Sequence, residues 1–281
     1  GKSINFSERR IVMAGLTDLV GVLIQGGLTQ SGSSRVEKAL GQDGLAQPGG
    51  MLEQMMGGTG VGSDMLGGLM DAARNVLSGQ KQSSLGNNPL ATGGIGALAG
   101  ALLGGGSGSV KGAVGGGAMA LLAGLAFQAF KNYNQQPGGA GMPFTPDSPP
   151  PGLLAPANAE EEQQLEAQAS VVVRGMINAA KADGQVDSEE LGKIVDRLKQ
   201  ADADEATLHW VMDELRGPYD LEQLVSDIPD QTVAAQVYLA SLFAIEVDSQ
   251  AEIDYLQKLA QRTGLDRAMV QQLHRMVGME D

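Results

Sequence analysis

Between Leu90 and Phe130 glycine recurs at positions 96, 100, 104, 108, 112 and 116, and Lys111 is the one charged residue in the stretch. A small residue at every fourth position suits helices whose backbones approach closely across a face poor in side chains. Four residues turn a helix by about 400°, so each glycine is displaced about 40° from the last and the stripe winds around a straight helix. One long helix therefore cannot offer Gly96, Gly100, Gly104, Gly108, Gly112 and Gly116 to a single neighbour. The break is written into Gly104-Gly-Gly-Ser-Gly-Ser109. It predicts a glycine-zipper helical hairpin, with one arm over about 95–105 and a second over about 111–132.

The second arm has 19 uncharged residues from Gly112 to Phe130, followed by Lys131, with Phe127, Phe130 and Tyr133 clustered at its end. Rings and a lysine closing an apolar run are what a membrane interface favours. Glycine adds little transfer energy, so a soluble hairpin that packs on itself or on other copies of the chain stays open beside the membrane reading, as does a plain linker.

Charge divides the chain. Residues 1–134 carry 9 basic and 7 acidic side chains, and residues 135–281 carry 10 and 26, so the net −14 is split as +2 and −16. Such an acidic half repels phosphate backbones, which argues against nucleic acid and for cations or a basic protein surface as partners. Cysteine is absent from the sequence. That excludes disulfides, thiolate metal sites and thiol catalysis.

Five segments follow from these shifts. In 1–30, Ser7 caps an apolar helix running to about Gln25, with Ile11, Leu16, Leu19, Val22 and Leu23 on one face. Lys2, Arg9 and Arg10 precede its apolar run as in a signal peptide, but Asp18 interrupts the run and no small-x-small cleavage site follows. The start at Gly1 rather than Met is expected of a trimmed or tagged chain. Segment 31–89 reads as a Gly/Ser/Met-rich linker with short helices, 90–133 as the hydrophobic hairpin, and 134–157, with Pro149-Pro-Pro151, as a semi-stiff linker.

Segment 158–281 is an acidic all-α bundle of six to seven helices. Asn158 with Glu161 opens the first, whose stripe is Leu165, Ala169, Val172, Val173, Met176, Ile177 and Ala180. Asp187 with Glu190 opens a second, and Asp204 a third that stops at Gly217-Pro218. A short fourth helix ends at Pro229, Asp230 starts a long apolar fifth, Asp248 a sixth closed by Gly264, and Asp266 caps a seventh.

The phrase Val186-Asp187-Ser188 recurs as Val247-Asp248-Ser249, each time after an alanine-rich helix and before a helix with an early glutamate. If the two junctions face each other, Asp183, Asp187, Glu190, Asp248 and Glu252 present oxygen ligands suited to a hard divalent cation, calcium or magnesium. The same residues also serve as helix caps with no metal at all, and the loop lacks the ligand set of an EF-hand. Both readings stand.

The helical region resembles the TerB-like tellurite-resistance domain. The arrangement of glycine-rich hairpin, aromatic-lysine end and Ala-Asp-Gly helical domain resembles the bacterial inner-membrane family that includes YebE, over about 90–281, carried by Gly93 to Tyr133, Ala179 to Glu190 and Ala244 to Leu265. The resemblance implies a bacterial envelope or stress-associated protein with divalent-cation binding through the five carboxylates above. The second junction departs from the pattern, with Glu246-Val247 where the first has Gly184-Gln185.

Catalytic motifs fail. Gly94-Ile-Gly96-Ala-Leu-Ala99 has no preceding strand and no acidic residue about 20 positions on, so it is not a dinucleotide fingerprint. His209 and His274 sit on predicted helix faces without a nucleophile. The expectation is a non-enzymatic, membrane-associated homo-oligomer at the bacterial inner membrane, its acidic domain cytoplasmic and binding a cation or a protein partner. The alternative is a soluble, cytoplasmic, self-assembling scaffold without metal.

Overall fold

A computed structural model describes residues 16–25, 30–41, 44–45, 117–134, 152, 158–184 and 205–279. The described residues are all-α, as the periodicity predicts. The helices are α1 (Leu16–Gln25), α2 (Gln30–Leu40), α3 (Gly117–Asn134), α4 (Ala159–Ala180), α5 (Glu205–Arg216), α6 (Leu221–Asp227), α7 (Gln231–Ala244), α8 (Gln250–Thr263) and α9 (Arg267–Met276). The glycine stripe from Gly96 to Gly116, and the helix expected after Asp187, lie outside the described residues.

Helix α7 is the axle of the bundle. Every residue from Thr232 to Ala244 is buried, and a helix apolar on all sides needs neighbours on all sides. Those neighbours are α4, α3, α8, α2 and α1. The polar residues of α7 are matched internally. Gln168 Nε2 donates to Gln236 Oε1 at 2.8 Å, and Ser241 Oγ donates to Val237 O at 2.8 Å.

Local signals account for the starts of five helices and the end of α8. Asn158, Asp220, Asp230 and Asp266 each accept backbone N–H bonds at the helix starts they mark. Gly264 closes α8 in the left-handed conformation with φ 75°. The start of α8 differs from expectation. Its cap is Ser249 rather than Asp248, because Ser249 and Glu252 form a reciprocal capping box.

The first half of the chain is not set apart from this core. Leu16, Leu19, Val20, Leu23 and Ile24 of α1 are buried against α4 and α3, and α2, within the stretch read as linker, packs on α7. Helix α3, expected as the second hairpin arm, is buried along its length. Met119, Leu121, Leu122, Leu125, Ala126 and Ala129 face α7, α9 and α1. Its aromatic end is also inside, where the Tyr133 hydroxyl donates to the Asp266 carboxylate that caps α9. No described helix is long and apolar enough to cross a membrane. Local hydropathy registers that α3 avoids water and cannot say whether lipid or protein replaces it.

Candidate functional site

The site begins with the end of α7. The last carbonyls of a helix have no partner within it, and they carry the negative end of its dipole. Here they are met by α2. The buried Arg35 guanidinium donates through one terminal nitrogen to Leu242 O and to Ile245 O, the latter at 2.5 Å, and through the other to Glu246 O at 2.7 Å. Burial pulls the Arg35 pKa down, while the carboxylates of Glu246 and Glu252 pull it back up.

Glu246 ties the same helix a second time. Its carboxylate accepts from Ser31 N at 3.3 Å and from Ser31 Oγ. Lys38, one turn beyond Arg35, donates to Gly278 O at 3.1 Å. Between α2 and the turn 277–279 lies an open cleft of about 580 Å³, lined by Ser34, Arg35, Lys38 and Glu246 among others.

The link leaving α7 is unusual. Ile245 is extended, and Val247 has φ 61°. It is the one non-glycine residue with positive φ among the described residues. A β-branched side chain is an outlier in that region. Beyond it, Glu252 is buried, and its Oε2 accepts from Asp248 N, Ser249 N and Ser249 Oγ at 3.0–3.1 Å.

The five carboxylates singled out from the sequence are therefore placed unequally. Glu252 is committed to the capping box, while Asp248 is exposed at the same junction. Asp183 is exposed at the end of α4, where Gly184 turns the chain with φ 95°. Asp187 and Glu190 lie outside the described residues. Among the described residues no three His, Cys, Asp or Glu side chains are grouped as a metal site would need.

What the second junction does hold is an internal cation, Arg35. The first junction has a parallel. Lys181, which ends α4, donates to Glu214 O and, at 2.8 Å, to Gly217 O, and so satisfies the end of α5. Burial lowers the Lys181 pKa and the Glu214 carboxylate opposes the shift. Each junction brings a basic side chain of the chain itself to the carbonyls of a helix end.

Sequence reading allowed short helices in 31–89 without placing α2, and it missed the Arg35–Glu246 dock. A usable signal is present, since Val36, Ala39 and Leu40 share a face, Lys38 lies in the last turn and Gly41 follows. Its eleven residues are diluted by Gly32, Ser33 and Ser34, which imitate a linker.

A family model with the description "Protein of unknown function (DUF533)" matches residues 86–277, more than half of the chain. The chain belongs to the DUF533 family. No curated protein and no solved structure matches it. The DUF533 match takes in helices α3 to α9, including Glu246, Val247 and Glu252, and begins after α1 and α2. Half of the dock described above, Arg35 and Ser31, thus comes from outside the matched segment.

Proposed function

We propose that this chain is a non-enzymatic, membrane-associated protein of the bacterial inner membrane. In this reading residues 90–116 are its inserting or self-associating element, and the bundle, TerB-like in kind and YebE-like in its arrangement with the glycine segment, offers an acidic surface to a protein partner. The carrying observation is that the residues on either side of 46–116 are both fixed on the bundle, Leu45 through its N–H donating to Ala39 O at 2.9 Å and α3 through its packing on α7. A segment with both ends fixed on one body enters a bilayer and leaves it on the same side, which is the geometry of a hairpin. The glycine spacing supplies close backbone contact for such a hairpin or for a second copy.

The alternative ligand of the acidic domain is a divalent cation. The capping role of Glu252 and the presence of Arg35 at the second junction favour a protein partner. The soluble self-assembling scaffold is the second reading, and the burial of α3 favours it. With its apolar face committed to the bundle, α3 leaves only residues before 117 for any hairpin.

Fractionation of the untagged full-length chain between carbonate-washed membranes and the soluble fraction separates the two. Retention in the washed membrane, lost when Gly100 and Gly104 are changed to Asp, supports insertion. Full recovery in the soluble fraction as a large assembly replaces the membrane reading with the scaffold.

A further inference from the structure

A β-branched residue in the left-handed region is disfavoured and persists only where its surroundings over-determine it. Around Val247 two sets of contacts do so. On its C-terminal side the Ser249–Glu252 capping box fixes the backbone of Asp248 and Ser249. On its N-terminal side the fixing comes from a remote part of the chain, where Arg35 holds the carbonyls of Ile245 and Glu246 and Ser31 holds the Glu246 carboxylate.

Helix α2 is in turn poorly able to hold itself. Isolated helices shorter than about 12–15 residues are marginal in water, and α2 has 11 residues that include Gly32 and three serines. Its one fully buried apolar side chain is Ala39. Val36 and Leu40 add only partly buried contacts with the core, and polar ties complete the hold: Arg35 and Ser31 on the α7–α8 link, and Lys38 on Gly278 O. The link holds the helix, and the helix holds the link.

We propose that α2 is a strap that keeps the α7–α8 link in its strained form, and that undocking of α2 lets Val247 relax to the extended region and re-aims Asp248 and Ser249. The two states are docked with Val247 left-handed, and released with Val247 extended. Any partner that engages the Glu246 carboxylate or the exposed face of α2 differently in the two states shifts their balance. The strap joins the part of the chain before the DUF533 match to a junction inside it.

Hydrogen exchange of the full-length chain, read by mass spectrometry over residues 245–252 and over 233–241 of α7, tests this in wild type, Arg35→Ala, Val247→Gly and the double variant. Arg35→Ala is expected to speed exchange of 245–252 at least tenfold while leaving 233–241 within threefold. Val247→Gly is expected to slow exchange of 245–252 when Arg35 is present, relative to its effect when Arg35 is absent, by threefold or more, since only the docked state carries the strain. An equal effect of Val247→Gly in both backgrounds overturns the proposal, as does a uniform rise across the bundle in Arg35→Ala. If Arg35→Ala does not fold, Arg35→Lys, which keeps the charge and loses the fork, is read by the same two comparisons.

Discussion

Gly175 on α4 faces Val237 on α7 so closely that a Cβ built on the glycine would lie 2.5 Å from Val237 Cγ1. Gly175 contributes no side chain to that crossing, and the Val237 side chain occupies the space. The Gly175 carbonyl, left accessible by the missing side chain, accepts from Tyr255 Oη at 2.9 Å. Gly175→Ala drives a methyl into a branched side chain that is fully buried, and overpacking of this kind costs about 1–3 kcal/mol. Urea denaturation is expected to show that loss, and Val237→Ala in the same chain to recover part of it by making room.

Tyr255 makes the chain sensitive to alkali. Its hydroxyl sits among Gly175 O and Ser241 Oγ, the latter 3.1 Å away. Burial, chiefly, pushes its pKa well above that of a free phenol. A folded pKa above the unfolded one means that the folded state holds the proton longer. Stability is intact below the unfolded value of about 10 and falls as pH rises past it, by up to about 1.4 kcal/mol per pH unit. Tyr255→Phe is expected to cost about 1 kcal/mol at neutral pH, by removing the hydroxyl's hydrogen bond to the Gly175 carbonyl, which keeps Ser241 Oγ at 3.4 Å. The same variant should flatten the alkaline slope in denaturation curves between pH 9 and 11.

Glu252 and Asp248 distinguish capping from metal binding. Glu252 accepts from two backbone N–H groups and the Ser249 hydroxyl, whereas Asp248 is exposed. Glu252→Ala should lower stability by about 1–2 kcal/mol, and Asp248→Ala should stay within about 0.5 kcal/mol of wild type. Neither difference should change when thermal denaturation is repeated with millimolar calcium. A calcium-dependent gap for Asp248→Ala would support the cation site.

Glu166 tests how the first helix is held. Its two carboxylate oxygens accept from Leu16 N at 3.1 Å and from Thr17 Oγ1 at 2.9 Å, so a residue of α4 satisfies the start of α1. Glu166→Ala is expected to quicken hydrogen exchange over residues 16–25 by about tenfold, corresponding to the loss of roughly 1.4 kcal/mol, with residues 233–241 little changed. A global loss of protection would instead make α1 inseparable from the core.

The signals that could be read in advance were local ones. Asn158, Asp220, Asp230, Asp266 and Gly264 act within a turn of their own positions, so their roles follow from neighbouring residues alone. The cap of α8 is Ser249, whose box with Glu252 is itself a local Ser-x-x-Glu signal, whereas the left-handed Val247 before it follows from no local preference of valine. Arg35 and Glu246 were out of reach for a different reason. Their contact spans 211 positions of sequence and is made to backbone oxygens, which carry no residue identity to read. The placement of α3 turned on the same limit, since an apolar run specifies dryness and leaves the identity of the dry neighbour to the rest of the chain.

The all-round burial of α7 bears on where this protein can be cut. Two of the helices packed on it, α1 and α2, precede residue 86, where the family match begins. A fragment trimmed to that boundary would present to water the faces of α7, α4 and α3 that now meet Leu16, Leu19, Val20, Leu23 and Ile24. Such a surface invites aggregation. The segment matched by the family model and the packed unit of this chain thus have different starting points. A homologue lacking these two helices would need another apolar segment, from its own sequence or from a companion protein, laid along the same seam.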